Sequence, residues 1–164
     1  MATLTVWRFP TADGAEGALS TLKSLQQQQL ITIQDAELVT WPSGARKPIT
    51  RHLDDLTGAG ALSGAFWGLL FGLLFFVPLL GAAVGAATGA LIGHFTDVGI
   101  DNNFVDRVKR EVTPGTSALF LLSSNEVVDR LADAFKGSHA ELIASNLSQA
   151  QEAKLHEVFG KTQG

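Results

Sequence analysis

Between Asp55 and Asp97 the chain carries no Asp, Glu, Lys or Arg, and the interval 56–96 holds nine of its 17 glycines. An uncharged run of this length must take its Leu, Phe and Val side chains out of water, and that requirement constrains the fold more than any other feature. Pro78 divides the run, because a proline inside a helix removes a backbone donor and clashes with the preceding turn. Two antiparallel helical arms, 58–77 and 79–95, are therefore expected in place of one rod. At ~1.5 Å per residue the first arm would rise about 30 Å, which matches the hydrocarbon core of a bilayer, and the second is at the short end of that range.

Glycine spacing adds a second constraint. Gly60, Gly64, Gly68 and Gly72 recur every four residues in the first arm, and Gly81, Gly85, Gly89 and Gly93 do so in the second. Each glycine costs about 1 kcal/mol relative to alanine inside a helix, so two such runs need a compensating gain. Close backbone contact between apolar helices supplies one, and the pattern reads as a glycine zipper on both arms. The tip, Leu73 to Leu80, has no polar side chain. Its turn is expected within the bilayer, near the far interface or against other subunits, with its backbone groups satisfied by protein.

Arg46, Lys47 and Arg51 precede the run and Arg107, Lys109 and Arg110 follow it. Under the positive-inside rule both soluble parts, and hence both termini, face the cytoplasm. The opening residues lack the basic and apolar regions of a secretory signal, so the internal run is expected to be what takes the protein to a membrane. Charged residues are only 17% of the chain against a typical ~25%, yet 46% are hydrophobic, which excludes a disordered chain. A net charge of -4 gives no overall field to attract nucleic acid, and the absence of Cys removes disulfides and thiolate chemistry.

The flanks read as alternating strands and helices. A strand ends at Pro10, and a helix with Ala15, Ala18, Leu19, Leu22 and Leu25 on one face follows the helix-starting Thr11-Ala-Asp13. Residues 30–41 form a second strand with Asp35 at a bulge or turn, closed by Trp41-Pro-Ser-Gly44; 44–55 reads as a polar connector. After the run come a helix capped near Asp101, a strand over 116–123, a helix over 126–136 ended by Gly137, a short strand at Leu142 and Ile143, and a final helix opened by Ser148. This order predicts an α+β fold: a ferredoxin-like split βαβ sheet interrupted by an apolar glycine-zipper helical hairpin. The domains are then 1–55, the first β-α-β half; 56–96, the hairpin; and 97–164, the second half.

With its opening strand, its two Gly-x-x-x-Gly runs, the helix from Asp101 to Val112 and the strand from Gly115 to Ser123, the chain resembles a family of small bacterial membrane proteins of unknown function. The resemblance implies a glycine-rich hairpin within an α+β domain and a place in the bacterial inner membrane, and it carries no catalytic residue or cofactor across.

An antiparallel hairpin would bring His52, Asp54 and Asp55 to the same end as His94, Asp97 and Asp101. Imidazole and carboxylate there make His52, Asp55, His94 and Asp97 candidates for a divalent metal, against the commoner role of polar anchors at helix ends. No nucleophile elbow or phosphate loop occurs in the sequence, so no enzyme and no small-molecule substrate is expected. The expected partners are membrane lipid and other copies of the chain. The function read from the sequence is a non-enzymatic homo-oligomeric membrane scaffold. The alternatives are a soluble particle with the hairpins at its centre or holding lipid, and a pore, which Ser63, Thr88 and His94 would line only sparsely.

Overall fold

The computed structural model describes residues 2–53, 62, 64–76 and 98–159. Along the chain these are β1 (Ala2–Phe9), α1 (Gly14–Gln27), β2 (Ile33–Thr40), β3 (Ile49–His52), α2 (Gly64–Phe71) running on into a π-helical turn (Gly72–Phe76), α3 (Asn102–Glu111), β4 (Ser117–Ser124), α4 (Asn125–Ala134), β5 (Glu141–Asn146) and α5 (Gln149–Phe159). The fold is α+β: the strands form one five-stranded sheet in the order β3-β2-β4-β1-β5, with every neighbouring pair antiparallel.

Residues from before and after the uncharged run share this sheet, since β1 pairs with β4 (Val6 opposite Phe120) and with β5 (Val6 opposite Ile143). β4 lies at the centre of the order, and Ala118 to Leu122 are buried without interruption, as a strand covered on both faces requires. One face, with Trp7, Phe9, Leu38, Leu119 and Leu121, packs against α1 and α4. The other, with Leu4, Val6, Val39, Phe120 and Leu122, packs against α2 and its π turn, α3, and Leu155 of α5.

The four expected strands are present, and a fifth corrects the reading of 44–55 as a connector. β3 is an edge strand with Ile49, Thr50 and Arg51 exposed, and backbone pairing with β2 holds it. It therefore needs no alternating apolar pattern, the signal by which strands are read in sequence. Asp35 does sit at a bulge, where the β2–β4 register shifts between Ile33 and Asp35. The helix ends behave largely as read. Asp101 Oδ1 accepts the Phe104 N–H at 2.9 Å, Ser148 and Gln151 form a reciprocal cap, and Gly137 takes φ 89° beyond α4. α1 differs, because Asp13 makes no side-chain cap. Ser117 on β4 takes that role, its Oγ accepting the Ala15 N–H at 2.8 Å and donating to the Thr11 carbonyl at 2.7 Å.

Candidate functional site

The described part of the uncharged run lies on the sheet. Phe66, Trp67, Leu70, Phe71, Leu74 and Phe75 follow the i, i+1, i+4, i+5 spacing of one helical stripe, and all six are buried in the core that contains Phe120. Phe71 meets Phe120 edge-on at 5.1 Å between ring centroids, and Phe75 meets Trp41 in the same way at 5.6 Å. Val98 and Ile100, where the described chain resumes, are buried in the same cluster. The described residues on either side of 77–97 thus pack into one core.

This packing differs from the expectation for the first arm. Of the arm 58–77, which was read as a bilayer-length helix, the described residues form an eight-residue helix, Gly64–Phe71, and a five-residue π turn, and among the described residues no helix is long and apolar enough to cross a membrane. The physical reason is competition between environments: apolar side chains with no charge among them fit a lipid core and a protein core equally well, and here the sheet offers Leu4, Val6, Phe120 and Leu122.

Of the zipper glycines, Gly64, Gly68 and Gly72 are described; Gly60, Gly81, Gly85, Gly89, Gly93 and the hinge Pro78 lie outside the described residues. Gly68 is exposed, flanking the buried stripe, and among the described residues nothing comes within 4 Å of a Cβ built at Gly68 or Gly72. Among the described residues, Gly68 and Gly72 are not used in packing α2 on the sheet. Of the basic residues read as flanks, Arg51 pairs with Glu16 of α1 at 3.1 Å, and Arg107 donates to the Leu142 carbonyl at 3.2 Å.

Of the metal candidates, His52 is described, while Asp55, His94 and Asp97, with Asp54, lie outside the described residues. Among the described residues no group of three His, Asp or Glu side chains has the arrangement to hold a metal ion. His52 instead joins two acids that the sequence reading did not single out as a site. Its Nδ1 lies 2.9 Å from Glu37 Oε1 and 3.7 Å from Asp35 Oδ1. With Glu37 ionised, Nδ1 carries the proton and donates it. Asp35 is fully buried; its Oδ1 accepts the Ala36 N–H at 3.0 Å and its Oδ2 the Leu62 N–H at 2.8 Å. The available signal was Asp-x-Glu inside an apolar strand, since residues i and i+2 of a strand share a face. Beside this cluster a cavity of about 380 Å³ opens between the β2–β3 end of the sheet and α2.

A sheet of this order, sealed on one face by the aromatic stripe of a glycine-rich segment and carrying a buried carboxylate–imidazole cluster at that segment's entry, defines an α+β domain built around an inserted apolar element. A family model described as "Protein of unknown function (DUF1269)" matches residues 61–160, from that element through almost all of the second half. The chain belongs to the DUF1269 family. No curated protein and no solved structure matches it.

Proposed function

We infer that this protein is a non-enzymatic scaffold that assembles with copies of itself at a membrane, through a glycine zipper in the segment 56–96. Its α+β domain is read as ferredoxin-like, with β3 added at one edge. The strand order, with α1 joining β1 to β2 and α4 joining β4 to β5, supports that reading. The observation that carries the proposal is Gly68. One stripe of α2 is sealed on the sheet while Gly68 beside it stays exposed, which is the surface another apolar helix needs for close backbone approach.

The one-sheet architecture supports a particular form of membrane contact. Both halves of the domain stay on the same side of any bilayer, so the uncharged stretch beyond Phe76 must leave and return on that side. Two crossings require ~20 residues each, more than 77–97 contains, so this stretch is read as re-entering the bilayer without spanning it. Both termini are then cytoplasmic, at the bacterial inner membrane. In the test, the full chain is floated with inner-membrane vesicles, extracted with carbonate, and crosslinked as wild type and as Gly68→Leu and Gly85→Leu. Retention in the membrane fraction and smaller assemblies for the leucine variants are expected; unchanged assemblies in both variants overturn the zipper.

A second reading, a particle that shields its apolar segments at its centre or holds lipid there, is favoured by the burial of Phe66 to Phe75 within the protomer, which needs no bilayer. Detergent-free sedimentation as a discrete oligomer, with no vesicle flotation, would select it.

A further inference from the structure

Basic residues that border the uncharged run on its two sides, far apart in sequence, meet at one end of the sheet. The register sets that end: Phe9 of β1 and Thr40 of β2 both stand opposite Ser117 of β4, and Ile49 of β3 stands opposite Thr40. Just beyond it two connections bind each other, the Trp41 N–H donating to the Thr116 carbonyl at 3.0 Å and the Gly115 N–H to the Trp41 carbonyl at 2.7 Å. Trp41 Nε1 donates to the Ala45 carbonyl at 3.0 Å, which folds the β2–β3 connection back on the indole and brings Arg46 and Lys47 to this end. Lys109 and Arg110 form the last turn of α3, which leads directly into the turn from Thr113 to Thr116. Phe75, in the π turn, meets Trp41 here, so the described apolar segment stops at the same end, ahead of Val77-Pro-Leu-Leu80 in the sequence.

Arg46, Lys47, Lys109 and Arg110 are exposed, and among the described residues none of them forms an ion pair. Neighbouring acids do not cancel their charge. No Asp or Glu occurs from Leu38 to Leu53, and α3 sets Asp106 and Glu111 against three basic residues. The other elements at this end bring the pairs Arg8–Glu141, Arg51–Glu16 and Lys136–Asp133, and α1 adds the acid Asp13, so a surplus of positive charge remains. Beside Lys47 in space and sequence, Ile49 is 63% exposed, and Trp41 is half-buried. Cations around an exposed aliphatic side chain and an indole match the headgroup layer of an anionic bilayer, where phosphates attract Lys and Arg and amphipathic rings lie at headgroup level. A free anion would use the cations and gain nothing from Ile49. We propose that this end of the sheet, through Arg46 and Lys47 after β2 and Lys109 and Arg110 of α3, docks on the anionic headgroups of a phospholipid bilayer. The proposal rests on the membrane reading above and adds to it the lipid class and the surface that meets the lipid.

In the test, the full chain is diluted from detergent and floated with vesicles of phosphatidylcholine alone and of equal parts phosphatidylcholine and phosphatidylglycerol. Partition onto the anionic vesicles should exceed that onto the neutral ones by about tenfold or more at low salt, and the excess should fade as ionic strength rises. The double variants Arg46→Gln/Lys47→Gln and Lys109→Gln/Arg110→Gln should each remove most of that excess. Lys23→Gln/Arg130→Gln, an equal loss of charge further along α1 and α4, should keep it. An excess preserved in both variants of the basic end, or lost equally in the control, overturns the docking surface. The wild-type comparison of the two vesicles decides without any variant: equal flotation overturns the proposal and leaves the membrane reading standing, whereas flotation with neither overturns both. Release from the anionic vesicles by inorganic phosphate, at an ionic strength matched with chloride, would also overturn it and assign these side chains to a free anion.

Discussion

The backbone N–H of Leu62 donates to Oδ2 of Asp35 at 2.8 Å, so a fully buried carboxylate on β2 holds the chain just where it enters α2. The other oxygen of Asp35 accepts the Ala36 N–H, and the two bonds use the carboxylate to join the bulge in the sheet to the apolar segment. Asp35→Asn turns one of these acceptors into a donor facing an N–H. It should cost about 1–3 kcal/mol, the penalty for an unsatisfied buried group. Urea unfolding followed by far-UV circular dichroism measures this, and an unchanged midpoint would remove the tie.

Phe71 offers a test of where the uncharged run resides. Seated edge-on against Phe120 in the core, its replacement by alanine should cost about 3–5 kcal/mol in the unfolding of the α+β domain. A Phe71 in lipid would leave that unfolding unchanged and reduce membrane retention instead.

Gly68 should behave in opposite ways in the protomer and in the assembly. Nothing described lies within 4 Å of its added Cβ, so Gly68→Ala should stabilise the dispersed protomer by about 0.5–1 kcal/mol through helix propensity alone. The same methyl at a close helix crossing should weaken self-association. Thermal unfolding in dilute detergent and native mass measurement of the assembly read the two effects separately; gains in both would place Gly68 outside any contact.

Ser117→Ala should destabilise α1 from a distance. It leaves the buried Ala15 N–H and the Thr11 carbonyl without their shared hydroxyl, at a cost of about 1–3 kcal/mol. Hydrogen exchange at the Ala15 amide should accelerate before exchange in the sheet does; protection equal to wild type would show that Asp13 or water replaces the cap.

The sequence by itself determined the elements whose signals are local. The helical stripes of α1 and α4, the Asp101 and Ser148 caps, the Gly44 and Gly115 turns at φ 82° and 88°, and the apolar run of β4 each follow from residues within one or two turns of each other. The tertiary structure decided whatever depends on a distant partner. β3 exists because β2 offers it a ladder, α1 starts where Ser117 of β4 reaches it, and Glu37 finds His52 because the two pair across strands. It also decided the environment of Phe66 to Phe75. Hydropathy reports only that such side chains leave water, and the same free energy is gained in lipid or on a sheet; the presence of Phe120, Leu4 and Val6 on an uncovered face settled which one these residues take.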